Sequence, residues 1–433
     1  MLTAAPHATR TRPVTARTTI ASRPGASGPI ARPRIVAPTL GIADGPAAAV
    51  FRVAAAGGPL SRDEATRATG SSIATVNRHV SAMLSVGLLR ERPDLAAAGA
   101  VGRPRIPFEV DHESYLTVGI HIGAVATSVI ASDLRGRILG AVEIPTPRGP
   151  SGAALATITG SARSFAARWH RRRPLWVGVA LGGRVDPETG IVDHPRLGWT
   201  DARVGDVVGA GFGLPVSVAA HVEAMAASEL LLTPQRADST AGGKSSGLYF
   251  YARETVGLAM TLDGKVHTPS AGSGSIAHLP TASEVQCGCG ATGCLEAAVG
   301  DRGVLLAARR AGVLPDGDTL PPIAALYRSA RAGSVRAQEI LDERARTLGG
   351  AVAMLRDLFN PDRVILGGQA FTDYPEAVPQ VSRALARATR AGGSDVRITG
   401  FGNRVQEHAA GVVSLSSLYA NPLVAMRKAT VQI

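Results

Sequence analysis

Residues 115–133 read YLTVGIHIGAVATSVIASD, two runs of aliphatic and β-branched residues that are separated by a glycine turn. Such runs, bounded by glycine, are typical of buried strands joined as a strand–turn–strand unit. The same strand–turn–strand pattern recurs at 247–262, where GLYFY and TVGLAMTL flank a short polar stretch. Helical and strand patterns follow each unit, at 153–169 and 175–181 and again at 348–359 and 363–366. The repetition predicts a duplicated α/β fold of two lobes with a cleft between them.

The size and composition of the chain exclude several classes of protein. Its 433 residues suffice for two or three domains, and 45% hydrophobic with 18% charged residues is typical of a globular protein. No apolar run reaches the roughly 18 residues of a membrane span, and the first thirty residues lack the apolar segment of a secretory signal. We therefore expect a cytoplasmic protein without a membrane partner. The weaker alternative is that the arginine-rich start is an organelle transit peptide.

Basic residues are concentrated in the first quarter of the chain. Residues 1–110 carry 14 Arg, no Lys and 6 acidic residues, which is +8 of the total net charge of +12. This asymmetry predicts binding to a phosphate backbone. Residues 1–43 contain no acidic residue and no periodic pattern, so they predict a disordered basic arm. The arm is either a helper for non-specific DNA binding or a solvated tail without a role.

Three short helical segments follow the arm. The first covers 46–55. Ser61 lies three residues before Glu64, and this spacing is that of a capping box, which predicts the start of the second helix. Gly70 predicts the end of that helix. In the third segment, which Ser71 or Ser72 caps, apolar residues recur on one face; these are Ile73, Val76, Val80, Met83 and Leu84. Two short helices joined by a glycine turn, with a strand at 87–90 behind them, predict a winged helix-turn-helix.

The outer face of the third helix supplies the candidate DNA contacts. Ser72, Thr75, Asn77 and Arg78 are the candidates for contact with bases or phosphates in the major groove. In the segment Gly102-Arg103-Pro104-Arg105, the residue before proline avoids the helical region, so the chain is expected to be extended and narrow. Arg103 and Arg105 are therefore candidates for the minor groove. The alternatives are an ordinary surface helix and an ordinary polar linker.

The three cysteines of the chain fall within eight residues, as Cys287, Cys289 and Cys294. Such clustering in a cytoplasmic protein favours a metal over a disulfide, and cysteines two residues apart would form a strained disulfide. His278, nine residues upstream, is the natural fourth ligand of a tetrahedral zinc ion. Four protein ligands would make the zinc site structural rather than catalytic. The alternative is a set of reduced thiols beside a core histidine.

From about Pro46 to its C-terminus the chain resembles the regulators of the ROK (repressor, open reading frame, kinase) family. The resemblance rests on Gly102-Arg103-Pro104 after the predicted wing, on His278, and on 287–296, which reads CGCGATGCLE against the family pattern Cys-x-Cys-Gly-x-x-Gly-Cys-Leu-Glu. It implies an N-terminal winged helix-turn-helix at 44–91, a wing and linker at 92–112, and an α/β actin/hexokinase-like ROK domain at 113–433. That domain would consist of two lobes that divide near 225–245 and would contain the zinc site.

Three stretches depart from the pattern of the family's kinases. His121 takes the place of the Asp of the Asp-x-Gly-Gly-Thr loop, and Ala220-His221 takes the place of the Asn-Asp pair that contains the catalytic base. Residues 252–257, ARETVG, replace the glycine-rich second phosphate loop. Phosphoryl transfer depends on positioning and charge stabilisation, so the loss of the carboxylates and of a backbone cradle predicts a domain that is not an enzyme.

The resemblance also places an effector pocket in this domain. Ala220, His221 and Ser275 stand where kinases of the family hold sugar hydroxyls with an amide and two carboxylates. Each lost partner would leave a buried hydroxyl without a hydrogen bond, at a cost of roughly 1–3 kcal/mol, which argues against ordinary hexose binding. The remaining candidate effector-binding residues are His221, Glu223, His278 and Glu296. His221 and Glu223 are alternatively surface polar residues.

The sequence as a whole favours a DNA-binding transcriptional regulator, a repressor rather than an activator. Homodimers or tetramers would read a palindromic operator in double-stranded DNA, and a sugar or a sugar-derived effector would bias the quaternary arrangement. One alternative is an ATP-dependent sugar kinase with an N-terminal extension. Another is a metal-dependent interaction scaffold without DNA specificity.

Overall fold

The structure, a computed structural model, describes residues 35–96, 106–233, 245–269, 274–388 and 395–430. It contains a head, residues 46–110, and a body of two lobes. The head is built from three helices and an antiparallel pair of strands, namely α1 (Pro46–Gly57), α2 (Arg62–Thr69), α3 (Ile73–Ser85), β1 (Leu89–Glu91) and β2 (Phe108–Val110).

The predicted start and end of the second helix are confirmed. The Ser61 hydroxyl accepts a hydrogen bond from the backbone N–H of Glu64, and the Glu64 carboxylate accepts one from the N–H of Ser61 at 2.7 Å. Gly70 ends α2 in the left-handed conformation, with φ of 66°. Ser72 rather than Ser71 caps α3. The local capping chemistry thus positions the two helices that the sequence predicts as a helix-turn-helix.

The first lobe is an α/β unit. Its elements are β3 (Tyr115–Ile122), β4 (Ala126–Ser132), β5 (Ile138–Pro145), α4 (Ser151–Ala166), β6 (Arg173–Leu181), β7 (Arg184–Asp186), β8 (Ile191–His194), β9 (Trp199–Arg203), α5 (Val204–Phe212), β10 (Val216–Ala220) and α6 (His221–Leu231). The main sheet has the order β10-β6-β3-β4-β5, and β7, β8 and β9 form a small separate sheet.

The second lobe repeats this plan. Its elements are β11 (Ser246–Ala252), β12 (Val256–Leu262), β13 (Lys265–Val266), α7 (Leu295–Val299), α8 (Asp301–Arg310), α9 (Ala324–Arg331), α10 (Val335–Phe359), β14 (Arg363–Gly367), α11 (Gln369–Thr372), α12 (Val378–Ala388) and β15 (Asp395–Ile398). The sheet order is β13-β12-β11-β14-β15. In each lobe the first strand pairs antiparallel with the next strand and parallel with a later one, so the predicted duplication is confirmed.

Two C-terminal helices, α13 (Val405–Ala420) and α14 (Pro422–Thr430), return to the first lobe, so the second lobe is an insertion rather than the end of the chain. Two glycines let α13 lie directly on the sheet. A Cβ atom at Gly178 would lie 2.2 Å from the backbone nitrogen of Ser414, and one at Gly119 would lie 2.7 Å from the carbonyl carbon of Ala410. The helix therefore packs at backbone distance across β3 and β6.

Residues 35–43, which we call the strap, correct the prediction of a disordered arm that extends to residue 43. The Val36 N–H donates to the Val216 carbonyl at 2.9 Å, and the Ile42 N–H donates to the Gly264 carbonyl at 2.8 Å. The strap thus pairs with an edge of each lobe before it enters α1. Its aliphatic residues, with Leu40 buried, explain why this part of the chain is fixed. Residues 1–34 lie outside the described residues.

Candidate DNA-binding face, metal centre and histidine group

The helix α3 buries one face and exposes the other. Val76, Val80 and Met83 are fully buried in the core of the head, as predicted. Ile73 was expected in the same stripe, but its side chain is 45% exposed. The expectation was wrong because Ile73 is the first residue of the helix, and the buried part of the stripe begins one turn later, at Val76.

The predicted DNA-contact residues on α3 divide into two kinds. The Ser72 hydroxyl accepts from the Thr75 N–H at 3.3 Å and lies 3.0 Å from the Thr75 hydroxyl, so both side chains take part in capping. Asn77 and Arg78 are exposed one turn further along, together with Ser81. The outer face therefore presents an amide, a guanidinium and a hydroxyl in a row. Arg103 and Arg105 lie outside the described residues.

The four predicted metal ligands converge. One ligand atom from each of His278, Cys287, Cys289 and Cys294 lies within 4.8 Å of all the others. The Cys289 and Cys294 sulfurs are 3.7 Å apart, and the Cys287 sulfur is 3.8 Å from Nδ1 of His278. Two sulfurs at 2.3 Å from a tetrahedral zinc ion would be separated by about 3.8 Å. The donor atoms and their spacing therefore fit a tetrahedral metal ion.

The backbone around the cysteines explains why the ligands meet. Gly290 and Gly293 adopt positive φ angles of 93° and 75°, which turn the chain back on itself between the second and third cysteines. A hydrogen bond from the Ala291 backbone N–H lowers the pKa of the Cys289 thiol to about 7, whereas burial raises the pKa of the Cys294 thiol. Thiolates are the forms that bind metal, and a bound cation would offset the repulsion between them.

Histidines of the first lobe lie at the carboxyl ends of its strands. Nε2 of His121 on β3 lies 3.5 Å from Nδ1 of His221, the first residue of α6, and the two rings are stacked. Among the described residues, the buried Nδ1 of His194 has no hydrogen-bond partner. Burial, and then the proximity of His221, lowers the pKa of His121 well below its usual value, and burial lowers the pKa of His221 to about 4. These rings are therefore neutral at pH 7.

The end of β11 and the loop that follows it lie beside this histidine group. The Tyr251 ring lies 5.5 Å from the ring of His221. Arg253 donates to the side-chain oxygen of Gln406 at 2.9 Å, and its own N–H is bonded to the Thr255 carbonyl. The Val256 N–H donates a hydrogen bond to the carboxylate of Glu296 at 3.2 Å. Two backbone N–H groups of this loop are thus already satisfied within the protein.

The four candidate effector residues occupy two places. His221 and Glu223 begin α6, where the buried Glu223 accepts from the hydroxyl of Thr268 at 3.3 Å. Glu296 is in α7, and His278 belongs to the metal cluster. Both places border β12, because Val222 packs against Gly257 while Glu296 holds Val256. Residues that the sequence reasoning missed are His194 and Tyr251, which distant strands bring to His221.

Within the described ranges no single helix is long and apolar enough to span a membrane. Only Gly402–Ala420 and Pro422–Thr430, taken together across a bend of 108°, reach the length and composition of a span.

Known proteins resemble this chain over most of its length. It is 54% identical over 401 residues to transcriptional regulator Rv0485 of Mycobacterium tuberculosis, which covers 91% of this chain and 90% of that protein. It is 23% identical to the N-acetylglucosamine repressor of Escherichia coli O157:H7, over 74% of this chain and 80% of that protein. The crystal structure of a ROK family transcriptional regulator, a homologue of the E. coli MLC protein, shares the fold with a TM-score of 0.72 and 20% identity, over 88% of this chain and 98% of that one. The ROK family model matches residues 117–418, and the chain belongs to the ROK family.

Proposed function

We propose that the chain is a sequence-specific DNA-binding transcriptional regulator whose kinase-like body binds an effector and mediates oligomerisation. The observation that carries the proposal is the face of α3, where Asn77 and Arg78 are exposed on a helix whose opposite side is buried in the head. A helix of this kind, preceded by a capped helix and a tight turn and followed by a strand pair, fits the major groove. The names of its relatives as regulators support the same function.

The head acts on double-stranded DNA as part of an oligomer. Two copies related by a two-fold axis would place two α3 helices in successive major grooves, which calls for a palindromic operator. Homodimers or tetramers meet this requirement. Arg103 and Arg105 would enter the adjacent minor groove. Because such a protein works where the DNA is, we place it in the cytoplasm, at the nucleoid.

The body transmits the presence of an effector. One relative is named an N-acetylglucosamine repressor, so we propose repression as the mode of action and a sugar or sugar derivative as the effector class. His221, Glu223, His278 and Glu296 are the residues that would bind it, at the two places that border β12. The effector would act by binding one quaternary arrangement better than another, which requires differential affinity rather than tight binding alone.

Zinc is the metal that we assign to the cluster, in a structural role. Three thiolates and one imidazole form a ligand set that zinc prefers, and the four residues would supply all four ligands of a tetrahedral ion. No position would then be left for a reacting water. Bound zinc would fix Cys294, which directly precedes α7, and through Glu296 in α7 it would fix the start of β12.

The body is proposed to be without kinase activity. His121 is packed against His221 at the position where kinases of the family have a carboxylate, and neutral imidazoles are poor ligands for Mg²⁺. The N–H groups of Arg253 and Val256 are bonded to protein oxygens, so they are not free to hold a phosphate. ATP consumption that depends on a hexose would support the alternative of a sugar kinase and contradict this proposal.

Selection of bound fragments from the genome and from random DNA, followed by titration at physiological salt, tests the proposal. A regulator should prefer one palindrome over random DNA by at least about a thousandfold, whereas a scaffold without DNA specificity should bind both alike. Arg78→Ala should weaken operator binding by roughly 1–3 kcal/mol. Arg328→Ala, which removes the same charge from an exposed site on α9, is the control and should leave binding unchanged. A panel of sugars and sugar phosphates added to the titration would identify the effector.

A further inference from the structure

The first turn of α3 presents an apolar side chain to solvent. Ile73 is 45% exposed, while Val76, one turn further along, is fully buried. Ala74 beside it is exposed as well. Contacts with the described residues therefore leave a large part of Ile73 uncovered. Ile73 lies at the end of the helix whose first residues approach base edges in helix-turn-helix proteins.

The polar side chains at the first turn of α3, Ser72 and Thr75, are bonded to each other and to the backbone. The Ser72 hydroxyl accepts from the N–H of Thr75 and is paired with the Thr75 hydroxyl at 3.0 Å. Hydrogen-bonding groups without such a role first occur at Asn77 and Arg78, one turn along the helix. The tip of the helix is thus apolar and its middle is polar. In the major groove the complementary apolar group is the C5-methyl of thymine.

We propose that Ile73 determines operator specificity by packing against the methyl group of one thymine in each half-site. This inference rests on the proposed function. Asn77 and Arg78 then supply the hydrogen bonds to neighbouring base edges or phosphates. The exposed neighbours of Ile73 are the polar Ser72 and the small Ala74, so the apolar surface around Ile73 is small. Its size suits a group such as a methyl rather than a protein partner.

The test replaces each thymine of the selected operator, in turn and in both half-sites, by deoxyuridine, which lacks only the C5-methyl group. The full-length protein should lose about fourfold in affinity for each methyl removed from the contact, and about fifteenfold when both half-sites are changed at that position. Ile73→Ala should weaken binding to the thymine operator to a similar extent and should bind thymine and deoxyuridine operators equally. Such coupling identifies the two groups as partners.

The control is Val335→Ala, which shortens another exposed aliphatic residue, 65% exposed at the start of α10, and should keep the full thymine preference. If Ile73→Ala proves unstable, Ile73→Val should show a smaller loss and a partial coupling. Operator binding without any deoxyuridine effect, or with the same effect in the Ile73 variants, overturns the role of Ile73 and leaves the proposed function standing. Failure of the wild-type protein to select any operator overturns both.

Discussion

The ring of Phe51 in the head packs edge-on against the ring of Tyr419 in the body, with the centroids 5.6 Å apart and the planes at 85°. Phe51 belongs to α1 and Tyr419 to α13, the helix that lies on the sheet of the first lobe. Both are buried in one continuous core that also contains Trp176 of β6 and Met426 of α14. The head is therefore part of the first lobe in packing terms, and not a module on a free linker.

Tyr419→Ala should loosen this junction. The change removes the ring contact and the hydrogen bond from the Tyr419 hydroxyl to the Leu134 carbonyl, so we expect the free energy of unfolding to fall by about 3–5 kcal/mol. Tyr419→Phe, which removes only the hydroxyl, should cost about 1 kcal/mol. Hydrogen exchange should report faster exchange in α1 for the alanine variant. Unchanged exchange in α1 would show that the junction does not hold the head.

The strap provides a second link between head and body, and it leads to a prediction with a matched control. A Cβ atom at Gly41 would lie 2.7 Å from Cα of Lys265 and 2.9 Å from the carbonyl oxygen of Gly264. Gly41→Ala should therefore push the strap away from the second lobe, at a cost of about 1–3 kcal/mol, and should speed exchange of the Ile42 and Val266 amides.

Gly45→Ala is the control for this variant. Gly45 lies four residues further along, has φ of −66°, and has nothing within 4 Å of the position of its Cβ atom. It should leave stability and exchange nearly unchanged. Equal effects of the two substitutions would mean that the strap contributes nothing through its contact with Gly264 and Lys265.

The lobes could be predicted from the sequence because their strands are long apolar runs that end at glycines, and this local pattern survives in the fold. The strap could not, because its aliphatic residues are interrupted by a proline, a threonine and a glycine and show no regular period. What fixes the strap is the presence of two open sheet edges, at Val216 and Lys265, that are distant in sequence. Ile73 fits the helical period of the buried stripe, and only the packing of the folded head shows that the core ends before it.

The candidate sites also include one that the sequence predicts and one that it does not. Spacing alone indicated the cysteines and His278, since the metal ligands lie within 17 residues of one another. The histidine group could not be predicted, because His121, His194 and His221 belong to β3, β8 and α6, three separate segments that only the folded lobe brings together. A substituted kinase motif identifies a lost carboxylate, but it does not show what the new side chain contacts.

Cys289→Ser should release about one zinc ion per chain. Oxygen is a weaker ligand than sulfur for zinc, and the remaining three ligands would leave the tetrahedron incomplete. Metal analysis of the purified variant and parent measures the loss, and thermal unfolding should show that the second lobe is destabilised. Thr292→Ser alters an exposed residue between Cys289 and Cys294, and this variant should retain the metal. A parent protein purified without any zinc would contradict the assignment.

Arg103→Ala should weaken operator binding and leave the fold and the oligomeric state intact. The expected loss is roughly 1–3 kcal/mol, and it should be largest for operators with A·T pairs beside the half-site, where the minor groove is narrow and most negative. Replacing those pairs with G·C should reduce the effect. Binding that is unchanged in the variant, at the same salt concentration, would exclude Arg103 from the minor groove.

His221 should make the stability of the body sensitive to acid. Its pKa in the folded protein is lowered to about 4 by burial, whereas histidine in an unfolded chain has a pKa of about 6.5. Between these values the unfolded chain binds more protons than the folded protein, so the free energy of unfolding should fall as the pH falls through that window and should be unaffected above it. His221→Asn removes the titrating ring and should flatten the slope of unfolding free energy against pH by at most about 1.4 kcal/mol per pH unit.

Denaturant titrations at pH 5, 6, 7 and 8 measure this slope, with His170→Asn at an exposed site as the control. The metal cluster is the same in all three proteins, so its response to acid cancels in the comparison. A slope that His221→Asn leaves unchanged would show that the ring of His221 is already solvated in the folded protein.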